Sequence, residues 1–136
     1  MVQIFCLLFS LFFCSCSLSS KTATNHVVKN AYTLTGNGGV TLSIEVEYLL
    51  SAKGYLNNDC RAQFIVTNTG AVPFESGSDM RIIVFEFTTN DGKVLEVAKT
   101  FDMNLQPGKT SSAETVSADA GLNRYCTSVK PVRLGK

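Results

Sequence analysis

The sequence predicts an all-β sandwich, on three observations. Apolar residues recur with a period of two rather than 3.6; turn-forming Gly, Asn and Pro clusters fall between those runs; and no amphipathic helical stretch separates them. The first element is residues 27–34, followed by Gly36-Asn37-Gly38-Gly39, whose glycines supply the positive φ that a tight hairpin turn needs. Its expected partner is residues 40–50, where Val40, Leu42, Ile44, Val46 and Tyr48 alternate with Thr41, Ser43, Glu45 and Glu47. Successive side chains of a strand point to opposite faces, so this strand has one dry and one wet side.

The third run places Cys60, Ala62, Phe64 and Val66 on one face and ends at Asn68-Thr69-Gly70. Residues 81–87 are almost continuously apolar, as expected of a central strand covered on both faces. Asn90-Asp91-Gly92 turns the chain into residues 94–101, and Gln106-Pro107-Gly108 is a second turn, with Pro presetting its first corner and Gly accepting the next. Residues 110–116 and 125–134 complete seven strands. Seven short strands without a crossover helix predict a two-sheet sandwich of the immunoglobulin or fibronectin-III type and disfavour a parallel α/β fold.

The N-terminus is set apart. Residues 4–14 form an apolar run followed by Ser15, Cys16, Ser17, Ser19 and Ser20. Eleven residues are too few to cross a bilayer core, which takes about twenty, and fit the apolar region of a secretory signal peptide. The preceding Met-Val-Gln lacks the usual Lys or Arg. The expected organisation is a signal peptide over residues 1–19, a linker over 20–26 and the β-sandwich over 27–136. The alternative is a lipoprotein leader over 1–15: Phe13-Cys14-Ser15-Cys16 resembles a lipobox, in which Cys16 would be acylated and hold the chain to the bacterial envelope as a lipoprotein with a structural or assembly role. Either route delivers the domain outside the cytoplasm, secreted or periplasmic in the first case. Membrane association is expected only through Cys16.

Cysteine usage agrees with export. Three of the five Cys (Cys6, Cys14, Cys16) belong to the leader, leaving Cys60 and Cys126 as a single disulfide in a compartment where such bonds persist. It would tie the third strand to the last, across the sandwich or within one sheet.

Composition excludes some functions. Twelve Lys+Arg against eleven Asp+Glu, with no run of like charge, offer none of the clustered cations that neutralise nucleic-acid phosphates. His26 is the only histidine, lies in the linker and has no identifiable base or metal partner, so neither a thiol catalyst nor a zinc site is assembled. Glu45 and Glu47 share one strand face and read as its solvated side rather than as an acid–base pair. Asn57-Asn58-Asp59 has too few carboxylates for a tight calcium loop. The Gly36–Gly39 cluster is not followed by the Lys-Ser/Thr of a phosphate loop. No catalytic residue, metal or cofactor is therefore expected, and the chain reads as a non-enzyme. What remains is surface: Tyr55, Leu56, Phe74 and Leu122 are apolar residues in or beside the longest loops, which makes them candidate contacts for a protein partner.

The order Val66-Thr67-Asn68-Thr69-Gly70, Asp91-Gly92-Lys93-Val94, Leu105-Gln106-Pro107-Gly108 and a late Cys resembles small exported bacterial immunoglobulin-like modules. More narrowly, Thr35-Gly36-Asn37-Gly38-Gly39, Leu56-Asn57-Asn58-Asp59-Cys60 and Cys126 resemble the IrmA family of compact secreted proteins from pathogenic Escherichia. That resemblance implies a fibronectin-III-like fold, mimicry of cytokine-receptor domains in a virulence or immunomodulatory role, host cytokines as partners, and a homodimer formed by strand exchange. It transfers no catalytic residue.

Overall fold

A computed structural model describes residues 26–50, 59–75, 82–101 and 104–135. Seven strands are present there: β1 (His26–Thr35), β2 (Thr41–Leu50), β3 (Asp59–Asn68), β4 (Ile82–Thr89), β5 (Val94–Thr100), β6 (Glu114–Asp119) and β7 (Cys126–Leu134). They form two antiparallel sheets with the orders β1-β2-β3-β6 and β5-β4-β7. The all-β sandwich and its strand count are as the sequence predicts.

The strand order differs from that of a constant-type immunoglobulin domain. A constant-type immunoglobulin domain places its first, second, fifth and fourth strands in one sheet and its third, sixth and seventh in the other. Here β2 and β3 stay paired in the same sheet, from Leu42 opposite Asn68 to Tyr48 opposite Ala62, so the chain does not change sheets after its second strand.

The period-two pattern becomes burial directly. On β2, Leu42, Ile44 and Val46 are fully buried and Tyr48 nearly so, while Glu47 and Leu49 face outward. The turn before it holds Gly38 and Gly39 at φ 75° and 82°, a conformation that would strain any residue with a Cβ. Across the interior Phe64 of β3 meets Phe85 of β4 with ring centroids 4.9 Å apart, joining the two sheets. The Cys60–Cys126 disulfide does the same from β3 to β7, with both residues wholly buried. It crosses the sandwich.

Two elements differ from expectation. The sixth strand starts at Glu114, not at 110. Upstream, Thr110 makes only an isolated bridge to Thr67, and Ser111 takes over the ladder's role: its N–H donates to Val66 O (2.8 Å) and its hydroxyl accepts from Val66 N–H (3.0 Å). A side-chain oxygen there satisfies a backbone donor that a continuing strand would have paired. On β4, the inner row Ile83, Phe85 and Phe87 is fully buried, but outer-face cover is complete only at Val84. Among the described residues no helix lies over that face. Arg133, the register partner of Val84, bonds Glu96 through both guanidinium nitrogens (2.8 and 3.2 Å), and Lys130 lies 3.7 Å from Glu86.

The hydrogen bonds from Arg133 hold the Glu96 carboxyl below its ordinary pKa. A carboxylate whose folded pKa is depressed contributes stability above its unfolded value, and that contribution is lost as pH falls through the folded one. Melting temperature should therefore decline as pH is lowered from about 5, and Glu96→Gln should flatten that decline. An unchanged slope in thermal melts of the variant would remove the pair from the acid response. The pair is half exposed, which keeps the effect small.

Asn68, read from sequence as a strand breaker, is fully buried and organises the end of the sandwich away from the disulfide. Its Nδ2 donates to Val72 O (2.9 Å) and Leu105 O (3.0 Å), and its Oδ1 accepts from Gly70 N–H (3.0 Å). Asn68→Ala would strand these groups in the interior, so a loss of about 2–3 kcal/mol is expected in denaturant unfolding. A loss below about 0.5 kcal/mol, the range of ordinary surface changes, would show that the network is dispensable.

Candidate functional site

The register fixes which loops share an end. His26 lies opposite Leu50, and Asp59 opposite Asp119. The start of β1, the end of β2, the start of β3 and the β6–β7 connection therefore gather at one end of the four-stranded sheet. The β4–β5 hairpin reaches the same end, because Asn90 N–H donates to Tyr125 O (2.9 Å) and Tyr125 N–H donates to Asn90 Oδ1 (3.1 Å). Cys60 and Cys126 sit just beneath.

Of the sequence candidates, Leu122 belongs to this end and is 95% exposed. Its connection is well tied. Gly121 N–H donates to Asp119 Oδ1 (2.8 Å), Arg124 pairs with Asp91 at 3.0 Å, and Gly121 and Asn123 take positive φ of 85° and 60°. The Asp91 carboxyl, which accepts a hydrogen bond from the Thr89 hydroxyl and faces Arg124, is held below its ordinary pKa. Leu122 is thus presented outward by an ordered turn. Tyr55 and Leu56 fall in the β2–β3 connection between Leu50 and Asp59 and lie outside the described residues, as does Cys16.

Phe74 requires a correction. It is at the opposite end and is 0% exposed. Its backbone exchanges two hydrogen bonds with Leu105 (2.9 and 2.8 Å), and its ring packs 5.8 Å from that of Phe101. Phe74 is core and not a contact residue, because pairing with a second connection turns its side chain inward.

The other weighed residues are also placed. His26 is the first residue of β1 rather than part of a linker, and it is exposed. Glu45 takes a 3.0 Å ion pair from Lys29, whose pKa is raised by that hydrogen bond. Asp59 is engaged by Arg61 at 2.9 Å, while Asn57 and Asn58 lie outside the described residues. Among the described residues no group of three His, Cys, Asp or Glu is positioned to hold a metal ion.

Sequence reasoning missed one feature of the disulfide end. Val27 and Leu49 are direct cross-strand partners on the outer face, 55% and 50% exposed. They border an open groove of about 320 Å³ that also touches Tyr48, Ala62, Glu47 and Arg61. The signal was available. Val27-Val28 and Leu49-Leu50 are apolar doublets, and in a period-two strand one member of a doublet must face out. The end therefore offers exposed apolar side chains (Leu122, Val27, Leu49) beside charges neutralised in local ion pairs (Arg61–Asp59, Arg124–Asp91). Such a surface suits desolvating contact with a partner. Comparison with protein-family models, with curated proteins and with solved structures finds no match for this chain.

Proposed function

We propose that this chain is an exported, non-enzymatic binding module that recognises a protein partner through its disulfide end. The observation that carries the reading is Leu122, almost fully exposed on a connection fixed by its own hydrogen bonds and by the Arg124–Asp91 pair. A large apolar side chain held rigidly in water is unfavourable until something covers it, and a pre-ordered anchor loses little entropy on binding. The exposed Val27–Leu49 pair at the same end supplies further apolar surface. A disulfide joining two sheets supports maturation in an oxidising compartment, hence a secreted or periplasmic protein.

The partner class follows from the IrmA resemblance: host cytokines, bound by a domain that imitates part of their receptor. The test is surface plasmon resonance of the oxidised protein against a panel of host cytokines, with Leu122→Ser alongside. A buried leucine is worth about 1.5–3 kcal/mol, so the variant should bind at least about tenfold more weakly with an unchanged melting temperature. Undiminished binding by Leu122→Ser would put the interface elsewhere. Absence of binding across the panel would remove cytokines as the partner class.

A further inference from the structure

Four strands end the two sheets, and three of them carry features that discourage pairing with another chain. β7 contains Pro131 and two register irregularities, at Val84/Phe85 and Thr88/Thr89 of its partner. β5 turns Lys99 toward the inner face, opposite Ile83, where a neighbouring strand would have to bury it. β6 is only six residues long. Proline, bulges, inward charges and shortness are the means by which sheet edges are kept from joining. β1 has none of these four, and its one Lys, Lys29, is engaged by Glu45 of its own sheet: β1 pairs with β2 over ten residues without a register shift, and among the described residues no strand covers its other side. Its inward apolar row, Val28, Tyr32 and Leu34, is only partly buried by its own domain.

The hydrogen-bond phase of β1 is fixed by the bonds that flank the ladder. Gly36 N–H donates to Val40 O in the same β1–β2 register, and Thr69 N–H donates to Thr41 O in the β2–β3 register. Hydrogen-bonded pairs alternate along an antiparallel ladder. The even-numbered residues of β1 therefore spend their backbone groups on β2. Val27, Lys29, Ala31, Thr33 and Thr35 direct theirs outward, away from the sheet.

We propose that β1 is the pairing edge for a second copy of this chain, joined antiparallel about a two-fold axis at Ala31, so that the two four-stranded sheets become one continuous sheet. This register sets Ala31 opposite itself, Lys29 opposite Thr33 and Val27 opposite Thr35, so no like charges face each other. On the inner side it sets Val28 opposite Leu34 and Asn30 opposite Tyr32, so Val28 and Leu34 of each partly buried row gain an apolar neighbour that one copy lacks. Nothing is exchanged between copies, which distinguishes this assembly from the strand-exchanged dimer implied by the family resemblance. The inference does not rest on the binding reading. If both hold, the antiparallel seam sends the two Leu122 ends to opposite poles, and the assembly is bivalent.

Sedimentation equilibrium of the processed, oxidised protein tests it. The wild type should show a reversible monomer–dimer equilibrium. Ala31→Pro should be monomeric with an unchanged circular dichroism spectrum, because the N–H it removes is not used by the β1–β2 ladder and proline is tolerated on an edge strand with its nitrogen facing outward. Ala31→Cys should give a covalent dimer on non-reducing gels, whereas Thr33→Cys, opposite Lys29, should not. That contrast decides the matter if Ala31→Pro fails to fold. A wild type that is monomeric at every attainable concentration, or a dimer unaffected by Ala31→Pro, would overturn the proposal, as would crosslinking through Thr33→Cys in place of Ala31→Cys.

Discussion

Phe74→Ala is expected to lower the unfolding free energy by about 3–5 kcal/mol, the range for deleting a buried aromatic ring. The ring has no exposed surface, lies against Phe101, and is locked by two backbone hydrogen bonds to Leu105. Those bonds limit how far the loop can collapse into the space left behind, which favours the upper part of the range. The same carbonyl environment is pinned by Asn68, so the cavity would open next to a buried polar network that tolerates little movement. Equilibrium unfolding in urea should show the midpoint falling with little change in slope, since the surface exposed on unfolding is nearly the same. Leu122→Ser, made in the same background, should stay within about 0.5 kcal/mol of wild type because that side chain is almost wholly exposed. If the two variants were equally destabilised, the division between a core end and a contact end of the molecule would be wrong.

That pair of residues also shows how far sequence reading reaches. Leu122 is a lone apolar residue among Gly, Asn and Asp, and its exposure can be anticipated from its neighbours. Phe74 sits in a similar setting, after Pro73 and before Glu75, Ser76 and Gly77, yet it is core. What separates the two is a bridge from Phe74 to Leu105, in a different connection, and no local pattern encodes it. β2 was legible because alternation over ten residues leaves one solution for its faces. The strand order was not, because period two is satisfied equally whether β3 stays beside β2 or crosses to the other sheet. The Val27–Leu49 pair was half legible: the doublets show that one residue in each must face out, but only the register shows that the two outward residues are opposite one another. Asn68 was legible as a stop and illegible as a hub, since two of its side-chain partners, Val72 and Leu105, lie beyond the strand it ends.

Removing the cross-sheet disulfide by combining Cys60→Ala with Cys126→Ala should cost about 4 kcal/mol, the chain-entropy expectation for a loop of this size. The two cysteines are 66 positions apart, and their Cα atoms lie 5.8 Å apart between β3 and β7. β7 is an edge strand whose pairing with β4 is interrupted by two register irregularities, so the covalent link compensates for an imperfect ladder. Its loss should therefore fall mainly on the three-stranded sheet. For a domain near this size the deficit corresponds to a drop of roughly 15–25 °C in melting temperature. Comparing the alanine variant with reduced wild type separates the two contributions, because the thiols keep the packing of the sulfur atoms and lose only the crosslink. Both proteins should be strongly destabilised, the alanine variant somewhat more. If reduced wild type were within about 1 kcal/mol of the oxidised protein, far below the expected entropic term, the bond would not be the staple of this fold. The inference from disulfide to an oxidising compartment would then lose its physical basis, and the case for export would rest on the apolar run at residues 4–14 alone.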